Sequence, residues 1–221
     1  MSDLVPLSDL ALAAFCPRQL YYARRGDRTP PPAAAAAREL AHSYPALLVA
    51  SDAAIRTHDV ALEPAAYREA LASTRDRVPD WDALVDPPET DVLLEGREVI
   101  GRLDKVIDDP LAPVLVSPGT PPETGVWRPQ SVRAVGAAAA LAWREGSAVE
   151  TAFVEYPRHG VIRRLSIGTR RRAAYRRTLR TVQEMAGPPP RRRDRERCES
   201  CEYAAECGVR TRSLRSLLAQ R

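Results

Sequence analysis

Lysine is almost missing from this chain. Lys105 is the only one, against 32 arginines, so any chemistry that needs a lysine must use that residue or do without it. Cysteine is absent across the 181 residues between Cys16 and Cys198, which excludes thiols scattered through the core and leaves the four present near the two ends. The first residues carry Asp3 and Asp9 rather than a basic leader, and the apolar run 10–15 is too short to cross a bilayer. The expectation is a cytoplasmic protein without a membrane partner, whose thiols stay reduced and form no disulfide framework. No internal repeat is visible.

What is present suffices for a core. A length of 221 residues with 44% hydrophobic side chains predicts a single domain. Within it we distinguish a helical part, 1–90, an α/β core, 91–186, and a cysteine-rich segment, 187–221. The net charge of +4 conceals an uneven distribution. Residues 1–157 carry 15 basic and 23 acidic side chains, whereas residues 158–197 carry 14 arginines against Glu184, Asp194 and Glu196. Guanidinium forks match phosphate oxygens two at a time, so this block predicts a nucleic-acid surface. Its candidate contacts are Arg163, Arg164, Arg170, Arg171, Arg172, Arg176 and Arg177. Part of the excess reflects the chain's general preference for arginine.

Periodicity supplies the order of elements. A helix is expected from Ser8 to residue 15, broken or restarted at Pro17 and resuming to Gly26. Residues 33–42 form a second, alanine-rich helix that Pro45 should kink or end. Another helix covers 65–76, and 79–88 reads as a loop with Trp81 tucked against the core. Three β-branched runs follow, at 92–94, 99–107 and 114–116. After a Pro/Gly-rich loop at 118–129 come a helix over 132–143, a hairpin over 149–156 and 161–167, and a basic helix over 170–185. Residues 213–219 close the chain after the cysteine triplet.

Three of the four cysteines fall within ten residues, as Cys198, Cys201 and Cys207 in the spacing C-x2-C-x5-C. Thiolates are soft donors, and four of them without a nearby histidine select a 4Fe-4S cluster or a zinc ion. Structural zinc sites usually bring two short ligand pairs. One triplet and a distant singleton, Cys16, suit a cluster assembled across the folded domain. A zinc ion clasping the termini is the alternative, and buried free cysteine acting as a small apolar residue is the plainest.

Two further groups suggest hydrolytic chemistry. Asp104 closes Gly101-Arg102-Leu103-Asp104 on a predicted strand, and His42 lies on the alanine-rich helix; a carboxylate and an imidazole could hold Mn2+ or Mg2+ for phosphodiester cleavage. With the cysteines, these residues resemble the CRISPR-associated RecB-like exonucleases, the type 4 Cas proteins. Residues Phe15-Cys16-Pro17-Arg18-Gln19-Leu20-Tyr21-Tyr22 look like the family's first-cysteine motif, His42 its helical histidine, Asp104 its metal aspartate, and Cys198, Cys201 and Cys207 its terminal triplet.

The resemblance implies a PD-(D/E)xK restriction-endonuclease-like core with a 4Fe-4S cluster. It also implies DNA, single-stranded or at ends, as partner, with CRISPR integration or repair proteins alongside. The departures are equally specific. The family's Glu-x-Lys falls on Leu115-Val116-Ser117, and its Gln-x-x-x-Tyr falls on a helix reading Val132-Arg133-Ala134-Val135-Gly136-Ala137, with arginine and alanine at the expected places. Strand alternation should put Lys105 and Asp104 on opposite faces, so that Lys105 cannot stand in for the lost lysine. The expectation is a nuclease-fold DNA-binding protein with little or no hydrolytic activity. Against it stand an active metal-dependent single-stranded DNA exonuclease, its site refilled by a carboxylate such as Glu123 or Asp109, and a structural zinc protein.

Overall fold

The computed structural model describes residues 4–29, 31–191, 196–199 and 201–208. It is a mixed α/β fold built on a six-stranded sheet. The strands are β1 (Val5–Pro6), β2 (Glu89–Glu95), β3 (Val99–Asp108), β4 (Leu111–Val116), β5 (Thr151–Tyr156) and β6 (Val161–Ser166). The order is β1-β3-β4-β5-β6, with β2 also paired to β3. The β1/β3 and β4/β5 pairings are parallel; β2/β3, β3/β4 and β5/β6 are antiparallel. The two-residue β1 has no periodicity for a sequence reading to detect.

Helices cover both faces. They are α1 (Leu7–Phe15), α2 (Pro17–Ala23), α3 (Pro32–Ala41), α4 (Tyr44–Val49), α5 (Asp52–Ile55), α6 (Pro64–Arg77), α7 (Trp81–Val85), α8 (Arg128–Glu145), α9 (Thr169–Gln183) and the short α10 (Glu196–Glu199). Proline marks helix starts throughout: Pro17, Pro32, Pro45, Pro64 and Pro129 all lie in first turns. There the missing N–H costs nothing, because it would have no partner within the helix. Pro45 therefore opens α4 instead of bending the alanine helix, which has already ended at Ala41. The segment 79–88, expected as loop, contains α7, and its Trp81 is buried against Tyr44. The expected stretch 213–219 lies outside the described residues.

Each face of the sheet has its own apolar layer. On one, Leu115 and Val154 pack with Leu7 and Leu10 of α1 and with α8 and α9. On the other, Val114, Val116, Phe153 and Ile162 pack with Tyr44, Tyr67 and Leu71 of the α3–α7 group. Alternation along β4 and β5 sorts their side chains between the layers. Two glycines let α1 approach closely. A Cβ at Gly101 would lie 2.8 Å from Leu7 Cβ, and one at Gly136 would lie 2.9 Å from Leu10 Cδ1. Gly101 thus serves packing three residues before Asp104. Among the described residues no helix is long and apolar enough to cross a membrane.

Candidate functional site

The β3–β4 ladder runs from Asp108↔Leu111 to Lys105↔Val114 and then stops. One step on, the Val116 N–H donates to Asp104 Oδ2 at 2.7 Å, so a side chain replaces the ladder where the strands part. The other oxygen, Oδ1, accepts from Arg38 Nε of α3 at 2.7 Å. Opposite Asp104, between the Thr90↔Lys105 and Val92↔Leu103 pairs, Asp91 has φ 54°, a left-handed conformation. Alternation is broken here. Leu103 packs in the α1/α8/α9 layer, whereas Lys105, two residues on, points among α3 and α7.

Lys105 is sealed. Its Nζ donates to the Ala41 carbonyl at 2.8 Å, to the Leu84 carbonyl at 2.8 Å and to Glu155 at 3.0 and 3.2 Å. The Tyr44 hydroxyl donates to Glu155 Oε2 at 3.2 Å, and Lys105 and Glu155 have no exposed surface. Burial pushes the Glu155 carboxyl above its ordinary range, while Lys105 and Tyr44 pull it back. An ammonium has three protons, and all are engaged, so none remains to position a water. The expected separation of Asp104 and Lys105 onto opposite faces is therefore replaced by another arrangement. Helix α3 gives each a partner, Arg38 and the Ala41 carbonyl, and what takes Lys105 out of use is saturation and burial. Glu155, Tyr44 and Arg38 were not singled out from the sequence. They join this centre through pairings 50 to 111 residues apart, or 66 for Arg38, which local patterning does not encode.

His42 is the exposed C-cap of α3. Its imidazole pKa is lowered by partial burial and by Lys105, with Asp104 opposing, so the ring is neutral at pH 7 and within electrostatic reach of Asp104. From α8, Arg133 lies within electrostatic reach of Asp104 and makes no ion pair with it among the described residues. Its guanidinium is disfavoured by burial, favoured by Asp104 and disfavoured by Arg38. One terminal nitrogen donates to the Arg102 carbonyl at 3.5 Å, while its buried Nε has no partner. Ser117 is buried and receives Gln130 Nε2 and the Gly119 N–H, each at 3.4 Å. Leu115 lies in the apolar layer beneath α8.

A divalent cation does not fit this centre as it stands. One oxygen of Asp104 is held by a guanidinium and the other by a backbone N–H. Among the described residues no group of three His, Cys, Asp or Glu side chains is arranged to hold a metal.

The arginine block divides. Arg163 donates to the Pro122 and Glu123 carbonyls, and Arg164 pairs with Asp80 at 3.5 Å. Arg171 and Arg172 cap the Ser166 and Ile167 carbonyls. Arg170, Arg176 and Arg177 on α9 are exposed and make no ion pair among the described residues.

At the other end, Cys16 separates α1 from α2, and the four cysteines are half-buried and free of disulfides. Arg18 of α2 donates through Nε to Cys207 Sγ at 3.1 Å and through a terminal nitrogen to the Pro189 carbonyl at 2.8 Å. Tyr22 stacks on Tyr203 with ring centroids 6.2 Å apart. The cysteine segment is thus docked on the helix that Cys16 opens. The donor set suits a thiolate-held iron–sulfur cluster or zinc by its chemistry, and the cysteine segment lies against α2, but among the described residues no three of the cysteines are gathered closely enough to hold a metal.

No protein-family model matches this chain, and no curated protein does. Among solved structures the chain is similar to SSO0001, known from its crystal structure, at 13% identity and a TM-score of 0.42, over 94% of this chain and 87% of that one.

Proposed function

We propose that this chain is a cytoplasmic DNA-binding protein of the PD-(D/E)xK nuclease type that has lost hydrolytic activity. Cys16, Cys198, Cys201 and Cys207 would hold a 4Fe-4S cluster that ties the two ends together and contributes folding free energy. Its partners are DNA, single-stranded or at ends, and proteins of the CRISPR integration or repair class. The observation that carries the reading is the state of the catalytic centre. The aspartate a metal would need is engaged by Arg38, and the chain's only lysine is consumed by Glu155 and two carbonyls. One well-placed electrostatic group is worth about 10²–10³ in rate, so losing both leaves little hydrolysis. The unpaired arginines of α9 supply a surface for the phosphate backbone.

The test uses anaerobically purified, iron-reconstituted protein with end-labelled single-stranded DNA and Mn2+ or Mg2+. We expect a brown protein that binds DNA and does not degrade it. Charge reversal at Arg170, Arg171 and Arg172 should weaken binding and flatten its dependence on salt. Cation-dependent degradation that disappears in Asp104→Ala would establish an active exonuclease instead.

A further inference from the structure

We infer that the centre around Asp104 is a metal-independent phosphate-binding site in which Arg38 and Arg133 occupy the electrostatic place of a cation. This deepens the proposed function but rests on separate residues from those that carry DNA affinity on α9.

Two guanidiniums come to this region from different elements: Arg38 of α3 pairs with Asp104, and Arg133 of α8 donates to the carbonyl of Arg102, two residues before Asp104 on β3. The neighbouring Lys105–Glu155 pair cancels internally. The centre therefore retains one uncompensated positive charge in a half-buried position. A buried cation without a counter-charge is costly, and an anion relieves that cost.

Hydrogen bonding points the same way. Arg133 has a buried Nε without a partner and one long bond of 3.5 Å to a carbonyl, so its fork is under-used. Arg38 spends its Nε on Asp104, its side chain is 46% exposed, and among the described residues no bond engages its terminal nitrogens. The pair thus offers several N–H donors where Asp104 orients one guanidinium without saturating either. Tetrahedral phosphate oxygens match guanidinium forks, and such charge-assisted bonds are the strong ones. Nothing in the arrangement would generate hydroxide, so the phosphate is held and not cleaved. The same chemistry serves a phosphodiester within a strand, a terminal phosphate or free phosphate.

The role of Asp104 is the distinguishing feature. In a cation site it is a ligand, and its neutralisation abolishes binding. Here it competes with the anion for Arg38, and its neutralisation adds a unit of net positive charge.

The experiment measures thermal stabilisation and calorimetric binding by inorganic phosphate and by a short oligothymidylate with or without a 5′-phosphate, in EDTA at fixed ionic strength. Variants are Arg38→Gln, Arg133→Gln and Asp104→Asn, each checked for folding by circular dichroism. We expect phosphate to bind in EDTA, each arginine variant to lose affinity about tenfold, and Asp104→Asn to bind as well as or better than wild type. A preference for the 5′-phosphorylated oligomer assigns the site to strand ends; equal binding of both oligomers assigns it to internal phosphodiesters, and binding of inorganic phosphate alone assigns it to the free ion. Phosphate affinity unchanged in both arginine variants, or dependent on added Mn2+, or lost in Asp104→Asn, would overturn the inference. If Arg133→Gln does not fold, the opposite responses of Arg38→Gln and Asp104→Asn still decide it. The variant reversed at Arg170, Arg171 and Arg172 should lose DNA but keep inorganic phosphate. A wild-type protein that binds phosphate but no DNA would sink the proposed function and leave this site standing.

Discussion

Two acid–base pairs stand one residue apart on β3, and their solvent exposure separates their uses. Lys105–Glu155 is fully enclosed, with both heads satisfied by each other, by Tyr44 and by two carbonyls. Asp104–Arg38 has a buried carboxylate and a guanidinium half in solvent. In the first, geometry leaves nothing free to meet a ligand, so its contribution is to tie β3, β5, α3 and α7 together. In the second, one partner can exchange with something outside. Adjacent charged residues can thus be a structural fastening and an open site, depending on what covers them.

The comparison is broken most forcefully by removing half of the sealed pair. Lys105→Ala or Glu155→Ala should destabilise the protein by about 3–5 kcal/mol, because the remaining charge is buried without its partner. Replacing both, as Lys105→Met with Glu155→Leu, should recover part of that loss but not all, since the Tyr44 hydroxyl and the Ala41 and Leu84 carbonyls lose partners. Urea denaturation measures both; a single variant within about 0.5 kcal/mol of wild type would mean that the pair is not a fastening.

The open pair should respond far less. Arg38→Ala is expected to cost about 1 kcal/mol or less, since a half-exposed ion pair gains little and Asp104 keeps the Val116 N–H. The same denaturation series checks this, and a loss comparable to that of Lys105→Ala would erase the contrast.

The smallest effect concerns pH. His42 and His159 both have lowered pKa values, chiefly from burial, so the native state binds fewer protons than the unfolded chain near neutrality. Their stabilising contribution is therefore complete above the ordinary histidine value of about 6.5 and is lost as pH falls through their lower native values. A shallow decline in melting temperature below that point is expected, reduced in His42→Gln. A rise on acidification would reverse the sign of the argument.

Much of the fold was legible because most elements carry their own pattern. The β-branched runs around 92–116 and the hairpin turning at Gly160 are local signals, and Gly160 does adopt the positive φ of 61° that such a turn favours. The short pieces α4, α5, α7 and β1 were not legible, because too few residues repeat in them to establish a period. Asp104 and His42 were singled out in advance, and they fall within electrostatic reach of one another. Their surroundings were not. Arg38 and Glu155 are unremarkable in a chain with 33 basic and 29 acidic residues, and Arg133 was noted only as a departure from the resembled family's helix motif.

The sequence alone determined the inventory: one lysine, four cysteines at the two ends, an arginine-rich block, and no glutamate or lysine where the resembled family carries them. It also set the helix starts, since proline in a first turn is a local steric fact. Only the tertiary structure decided which charges meet. The break in alternation at Asp104 sends Lys105 beneath α3 and α7, Glu155 arrives from a strand fifty residues later, and Arg38 reaches Asp104 across 66 positions. Such pairings depend on the packing of whole elements, and burial then determines which pair is locked and which stays open.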